Sequence, residues 1–309
     1  MTKPYSPSLE AARYELVETI SPAALTDSWR QDFGIDVSRF FRGVHEIHLL
    51  RDIDTGQLVF DPPIEGDAAF YQALRDYKWY HPQRKTEHQL AASWYKANVP
   101  SGGGVLDVGA GIGLFAKVLG HVPYIGLETD PDTISRARIQ GLNLIDMDIE
   151  AYARSEHTHP VAMTTAFQVL EHVSDPDRFV SGMVSATRPG GFVVIGVPNA
   201  ETYLQHLPDF MLNAPPHHVS WWTKTALTAL MERSGLTICA TYECALEPWE
   251  RQIWWMAQVS NWLGKPSARF GCRLRARKIV AYLFSAALQW LPLSSKTKGS
   301  TLLMIGQKD

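Results

Sequence analysis

Cysteine is scarce in this 309-residue sequence, and what there is follows no metal-binding or disulfide pattern. The three cysteines, Cys239, Cys244 and Cys272, have no Cys-x-x-Cys spacing and their number is odd. Both facts argue against a disulfide framework and a structural zinc site, and they agree with a reducing compartment. The first twenty residues also lack the apolar core of a secretory signal. We therefore expect a cytoplasmic protein.

Acidic residues are missing from almost the whole C-terminal fifth. Residues 251–308 contain ten lysines and arginines and no aspartate or glutamate, although the net charge of the chain is −3. The basic stretch Lys265–Lys278 is followed by an apolar run, Ile279–Leu291, which is too short to span a bilayer. Two interpretations stay open: a helix lying in an anionic membrane interface, or a helical lid or dimer contact with a buried apolar face. The acidic remainder of the chain argues against a broad nucleic-acid surface.

The stretch Gly102–Gly120 predicts a strand, a glycine turn and a helix. An apolar run that includes Asp107 precedes glycines 109, 111 and 113, and apolar residues then recur at helical spacing. Glycines allow a tight turn and a close approach of backbone to ligand, and amides at a helix N-terminus face the crevice. The pattern indicates a doubly wound α/β nucleotide-binding fold. It fits a dinucleotide dehydrogenase or an S-adenosylmethionine enzyme, although Asp107 would repel a pyrophosphate and suits an ammonium group.

Polar residues recur where later strands are predicted to end. Strand Pro123–Leu127 ends in Glu128, placed 21 positions after Asp107, where an acid accepts hydrogen bonds from ribose hydroxyls. A third strand over Leu142–Ile145 leads into Asp146–Ile149. A fourth strand begins at Val161 and ends near Gln168. The carboxyl ends of strands are where open α/β sheets bind ligands.

Two further motifs decide between these alternatives. QVLEHVSDP (168–176) and RPGGFVVIGVPN (188–199) follow the glycine stretch in order. Together they resemble class I S-adenosylmethionine-dependent methyltransferases, in the quinone and small-molecule O-methyltransferase branch found with bacterial glycan and secondary-metabolite pathways. The resemblance implies a doubly wound, mostly parallel seven-stranded Rossmann-like sheet, with the last strand antiparallel between strands five and six. It also implies S-adenosylmethionine as the cofactor and S-adenosylhomocysteine as the product.

The resemblance assigns cofactor roles to individual residues. Asp148 would accept from the adenine amino group with Ile149 against the ring, Asp146 being the alternative to Asp148. Arg84 or Lys85 would pair with the cofactor carboxylate, unless these are ordinary solvated charges. The implied cofactor set is Asp107, Gly109, Gly111, Gly113, Glu128, Asp148, Ile149, Gln168 and Arg84.

No metal ligand is expected. Relatives in the resembling branch can hold a divalent cation with a Glu-x-x-Glu-His cluster. In this sequence Gln168 stands in place of the first glutamate, and a neutral amide is a poorer ligand for a hard cation.

The segment PPHHVSWW, residues 215–222, resembles the part of these methyltransferases that faces the acceptor, and the resemblance therefore places the acceptor side there. A hydroxyl acceptor must lose a proton, and histidine is the suitable base near neutral pH. We expect His218 to be the base, then His217, with His172 as a third candidate. The alternative is that these imidazoles cap a helix, satisfy a loop carbonyl or support the turn after strand four.

We expect an N-terminal part, residues 1–96, and a methyltransferase domain, residues 97–309. The first would contain a helical lead-in (Leu9–Ile20) interrupted by Pro22, a metal-free β-hairpin within Val44–Phe60, and lid helices over Asp67–Tyr95. The second would carry a basic helical insertion at about 247–299, before the last strand. The expected reaction is O-methylation of a small molecule, sugar or glycolipid; N- or C-methylation and a non-catalytic cofactor-binding subunit are the alternatives.

Overall fold

The computed structural model describes residues 13–75, 77, 85–155, 159–207, 210–264, 275–294 and 296–309. The strands of this part, in chain order, are β1 (Tyr14–Ile20), β2 (Ile47–Asp52), β3 (Leu58–Asp61), β4 (Val105–Val108), β5 (Tyr124–Glu128), β6 (Leu144–Asp146), β7 (Val161–Phe167), β8 (Thr187–Pro198), β9 (Ser220–Trp221), β10 (Leu236–Ala245) and β11 (Lys298–Lys308). The helices are α1 (Pro22–Phe33), α2 (Ala68–Arg75), α3 (Thr86–Asn98), α4 (Leu114–Leu119), α5 (Pro131–Ile139), α6 (Ile149–Arg154), α7 (Pro176–Ala186), α8 (Lys224–Arg233), α9 (Arg251–Trp262) and α10 (Arg275–Leu288).

The larger sheet has seven strands in the order β10-β11-β8-β7-β4-β5-β6. Strands β4 to β8 pair in parallel, whereas β11 lies antiparallel between β8 and β10. The predicted doubly wound sheet and the place of its last strand are confirmed. The chain leaves β4 toward β5 on one side and reaches β7 on the other. The carboxyl end of β4 is therefore the switch point at which such sheets bind ligands.

Both faces of this sheet are covered by helices. On one face, residues of α7 and α8 such as Val180 and Leu230 pack with Leu106 of β4. On the other face, Tyr95 of α3 and Phe115 of α4 form a second cluster. All seven residues of β7 are consequently buried. Burying one large aliphatic or aromatic side chain contributes about 1.5–3 kcal/mol, so the sheet is a firm base for the loops at its edge.

A second sheet, of order β1-β2-β3-β9, contains the predicted hairpin. β2 and β3 pair antiparallel, and Asp52 closes their turn by accepting from the N–H groups of Asp54 (3.0 Å) and Thr55 (2.9 Å). β3 also pairs with β9, through Leu58 opposite Trp221 and Val59 opposite Ser220. The segment with His217 and His218 is therefore joined to this N-terminal sheet by strand pairing.

The predicted helical lead-in is wrong where the structure describes it. Residues 14–20 form strand β1, because β-branched residues favour a strand and β2 supplies a partner for the backbone. Pro22 does not interrupt a helix either. It is the first residue of α1, a position where its missing N–H costs nothing.

The other predicted elements appear with small shifts. The third strand of the larger sheet begins at Leu144 rather than Leu142, because Leu142 turns inward against Gly113. The region before the sheet holds α2 and α3, and Pro82 lies outside the described residues. The predicted insertion is helical in α9 and α10, whereas residues 265–274 of its basic stretch lie outside the described part. Among the helices described, none combines the length and apolar character needed to span a bilayer.

Candidate functional site

The glycine turn joins β4 to α4. Gly109, Gly111 and Gly113 have left-handed φ values of 67°, 55° and 73°. A Cβ atom on Gly109 would lie 2.6 Å from Val169 Cγ2, and one on Gly113 would lie 2.1 Å from Leu142 Cδ1. A Cβ atom on Gly111 would meet nothing within 4 Å. Packing requires glycine at the outer two positions, whereas the middle one borders open space where a ligand can approach the backbone.

Glu128 lies at the end of β5 beside this turn. Its Oε2 accepts from the Gly111 N–H at 2.9 Å, and its Oε1 accepts from the N–H groups of Thr129 (2.8 Å) and Asp130 (3.1 Å). A carboxylate has about four lone-pair sites. Glu128 is therefore fixed in place and keeps capacity for about one further donor.

Asp107 is buried in the strand that leads into the turn. Its two carboxyl oxygens accept from Tyr124 Oη and from Thr165 Oγ1, both at 2.7 Å. Burial raises the pKa of Asp107 to about 6. The side chain thus ties β4 to β5 and β7, and a contact with the cofactor ammonium stays a prediction.

The loop after β6 holds the predicted adenine contacts. Asp148 is exposed and caps α6, accepting from the Ala151 N–H at 2.6 Å. Ile149 is only 2% exposed and belongs to the sheet core, which leaves it little surface for a ring. Met147 is half-buried and is the more accessible apolar neighbour, while Asp146 is exposed at the end of β6.

Gln168 follows β7 in a strained conformation. Its φ of 58° is left-handed, which no other non-glycine residue of the described chain shows. Such a residue costs about 1–3 kcal/mol and is common at functional sites. The Gln168 N–H donates to Gly196 O at 2.8 Å, and its Nε2 donates to Glu87 Oε1 at 3.3 Å. In this conformation the side-chain amide of Gln168 faces the buried carboxyl group of Glu87 on α3.

The three predicted histidines lie together. The ring centroid of His172 lies 4.6 Å from that of His217 and 4.9 Å from that of His218. The rings of His217 and His218 are stacked, with their centroids 4.6 Å apart. His172 Nδ1 donates to His217 O at 2.5 Å, and His217 Nδ1 donates to Leu212 O at 2.7 Å. In neutral imidazoles with Nδ1–H, the lone pair is on Nε2. The carbonyl groups thus fix both tautomers.

A buried carboxyl completes this cluster. Glu171 Oε1 lies 3.8 Å from His172 Nε2 and 3.9 Å from His218 Nε2. Burial raises the pKa of Glu171 to about 8. Burial also lowers the pKa of His172 to about 4 and holds the pKa of His218 well below its usual range. The cluster is therefore neutral near pH 7.

The same imidazoles could serve as metal ligands by chemical type. One ring nitrogen from each of His172, His217 and His218 lies within 4.8 Å of the others. Nitrogen ligands at this spacing suit a transition metal. The Glu-x-x-Glu-His set for a hard cation is incomplete, because Gln168 donates its amide to Glu87.

A cavity of about 810 Å³ opens beside the cluster. It lies between the N-terminal sheet, the histidine segment and α9, and His218 lines it. Many of its other lining groups are polar: Glu18, Arg51, Glu201, Gln205, His206, Asn213, Ser220, Thr223, Ser260, Asn261 and Arg277. Such a lining offers many hydrogen bonds to a polar molecule.

Helix α2 connects the histidine cluster with the glycine-turn side. Tyr71 Oη lies 3.3 Å from His172 Nδ1, and Arg75 pairs with Asp130 at 2.8 Å. Arg84 lies outside the described residues. Lys85 Nζ lies 3.9 Å from Glu87 Oε1 rather than standing as an isolated charge.

Sequence reasoning missed Glu87 and His88 of α3. Both are buried, and the His88 ring packs on Phe167 at 4.6 Å between centroids. Burial lowers the pKa of His88 to about 3. The sequence did carry a signal for Glu87, because it shares one side of the helix with Ala91 and Tyr95, which are both buried.

The chain is similar to several known methyltransferases. A probable S-adenosylmethionine-dependent methyltransferase of Mycolicibacterium smegmatis is 28% identical over 181 residues, covering 57% of this chain and 66% of that protein. A ubiquinone biosynthesis O-methyltransferase of a Shewanella species is 31% identical over 103 residues, covering 31% of this chain and 43% of that protein. The chain thus spans less than two thirds of these curated relatives. A crystal structure of a SAM-dependent methyltransferase from Archaeoglobus fulgidus superimposes with a TM-score of 0.49 at 16% identity, covering 77% of this chain and 100% of that one.

A family model decides the assignment. The model described as "Methyltransferase domain" matches residues 80–241, more than half of the chain. The match extends from the region before α3 to strand β10 and includes the glycine turn, Glu128 and the histidine cluster. The chain belongs to this family of methyltransferase domains.

Proposed function

We propose that the chain is an S-adenosylmethionine-dependent O-methyltransferase that acts on a hydroxyl group of a small molecule, sugar or glycolipid. One observation carries the proposal: His218 lines a polar cavity and belongs to a cluster that follows β7, next to the switch point of the sheet. Family membership supports the cofactor, and the cavity supports a separate acceptor.

The cofactor would lie along the carboxyl edge of the sheet. Glu128 would accept from the ribose hydroxyls, and the open side of Gly111 would admit the cofactor backbone. Asp148 or Asp146 would accept from the adenine amino group, and Met147 is better exposed than Ile149 for the ring. Asp107 would face the cofactor ammonium group, and Gln168 would contribute a cofactor contact from the end of β7.

His218 would take the hydroxyl proton. Methyl transfer is an in-line displacement, so most catalysis comes from proximity and orientation. A buried neutral imidazole is in the proton-accepting form. The Glu171 carboxyl, whose Oε1 lies 3.9 Å from His218 Nε2, would stabilise the imidazolium that forms once it has given up its own proton.

The lining of the cavity supports a polyhydroxylated acceptor. Arg51, Glu201 and Asn213 present charged and amide groups of both hydrogen-bonding types. A purely apolar acceptor would remove water from these groups without offering hydrogen bonds, at about 1–3 kcal/mol for each donor or acceptor left unsatisfied.

The test is label transfer from tritiated S-adenosylmethionine to a panel of free sugars, glycolipids, phenols and amines. We expect label in the hydroxyl compounds, and at least a hundredfold less with His218→Ala, since a positioned base contributes about 10²–10⁴-fold. Label in amines alone would reject O-methylation. Binding of S-adenosylhomocysteine without transfer to any acceptor would favour a non-catalytic cofactor-binding subunit.

A further inference from the structure

Helix α10 presents its apolar side to solvent. Between residues 276 and 288, all the exposed side chains are apolar or aromatic. Tyr282, Leu283 and Phe284 are 55%, 61% and 58% exposed. The exposed set is Ala276, Ile279, Val280, Tyr282, Leu283, Phe284 and Ala287. Single exposed apolar residues are ordinary, but a contiguous face of them marks an interaction surface.

Three polar side chains of the same helix, Arg277, Lys278 and Ser285, face the protein. Arg277 donates to Ser260 Oγ at 2.9 Å and to Leu263 O at 3.2 Å. Lys278 pairs with Asp32 at 2.7 Å, and Ser285 is fully buried. An ordinary surface helix faces the core with its apolar side, and this helix does the opposite. Ionic and hydrogen-bond contacts hold it in this orientation.

Two exposed tryptophans lie at the ends of the helix pair α9 and α10. Trp262 at the end of α9 is 81% exposed, and Trp290 just after α10 is 82% exposed. Tryptophan and tyrosine prefer the boundary between water and hydrocarbon, because their rings are apolar and carry one polar group. The docking face, α10 with these two tryptophans, has the composition of an interfacial element.

Charge decides between the possible occupants. Residues 251–308 contain ten lysines and arginines and no acidic residue, and ion pairs with Asp32 and Glu243 balance two of them, Lys278 and Lys298. A second copy docked face to face would bring two such basic segments together, and like charges repel. An anionic lipid surface attracts them.

We propose that this face docks on an anionic membrane surface and holds the cavity at the lipid interface. Ser260, Asn261 and Arg277 of the helix pair line the same cavity as His218. A lipid-linked acceptor could then present its polar headgroup to the cavity from the membrane. The lipid-linked acceptor rests on the proposed function, whereas docking on the membrane does not.

The test is flotation of the full chain with vesicles of phosphatidylcholine containing about one third phosphatidylglycerol. We expect binding at low salt, weaker binding at high salt because charges are screened, and weak binding to pure phosphatidylcholine. The double variant Leu283→Glu/Phe284→Glu should lower the partition coefficient at least about tenfold, since two apolar side chains that would enter the interface are replaced by charged ones. The matched control is Ile139→Glu, because Ile139 is 83% exposed on α5 and outside the docking face.

Two outcomes would overturn the docking proposal. One is no binding to anionic vesicles at low salt. The other is a wild-type dimer in light scattering that the double variant converts to a monomer, which would make the face a protein interface. Calorimetry with S-adenosylhomocysteine on the same samples keeps the two proposals apart, because the double variant should bind this product as the wild type does.

Discussion

Glu128→Gln is the most direct test of the proposed cofactor site. The substitution keeps the size of the side chain and removes its charge. One of two oxygens becomes an amide donor, which would face the N–H of Gly111 or the N–H groups of Thr129 and Asp130. The variant loses acceptors for the ribose hydroxyls and gains a donor that meets another donor.

The expected size of the effect follows from these contacts. Hydrogen bonds to a charged group contribute about 1.5–3 kcal/mol. A loss of about 2–3 kcal/mol corresponds to binding weaker by roughly 30- to 150-fold. The mismatched donor should also lower the free energy of unfolding, by about 1 kcal/mol.

Titration calorimetry with S-adenosylhomocysteine measures the effect without a known acceptor. Glu232→Gln is the matched control, because it makes the same chemical change at an exposed position on α8. Thermal melting of both variants checks the fold. Binding by Glu128→Gln within about threefold of the wild type would refute the assignment of this carboxylate to the ribose, since less than one hydrogen bond would have been lost.

Four further predictions follow from the site. Gly111→Ala should fold with a stability loss of about 1–2 kcal/mol and bind S-adenosylhomocysteine at least tenfold more weakly. Gly34→Ala, at a left-handed φ of 63° with open space around it after α1, should lose similar stability and keep its affinity; equal affinities of the two variants by calorimetry would contradict a cofactor lying against Gly111. His218→Ala should lower turnover while the dissociation constant of S-adenosylhomocysteine stays within about twofold; unchanged turnover would remove His218 as the base. The raised pKa of Glu171, about 8 through burial, means that the folded chain holds this proton more tightly than the unfolded chain. The stabilisation is complete below about pH 4 and declines until pH 8, so the wild-type melting temperature should fall relative to Glu171→Gln between pH 5 and pH 8, and parallel curves would contradict the burial argument. A chelator should leave label transfer unchanged, because the Glu-x-x-Glu-His set is incomplete at Gln168; loss of activity restored by one added metal would show that the histidine cluster binds that metal.

The sequence was sufficient for the features that depend on local pattern. The apolar run before the glycines, the helical spacing after them and the recurring strand ends predicted the alternating strands and helices of a doubly wound sheet, and the family resemblance added the place of the last strand. Gly113 illustrates the local part: its left-handed φ of 73° favours glycine, so the turn is visible in the residue itself. The position of Glu128 at the end of β5 followed from the same periodicity.

Tertiary structure alone decided the features that depend on partners distant in sequence. Residues 14–20 carry a weak local preference, and pairing with β2 makes them a strand. The His172 side chain donates to the carbonyl group of His217, 45 residues away in sequence. Burial, which the residue type does not reveal, lowers the pKa of both imidazoles. The apolar pattern of Ile279–Leu291 predicted a helix, but it could not tell which side faces the protein. Lys278 and Asp32 are 246 residues apart, and their ion pair helps to turn the apolar side outward. Local pattern predicts elements, whereas long-range contacts decide burial, charge and orientation.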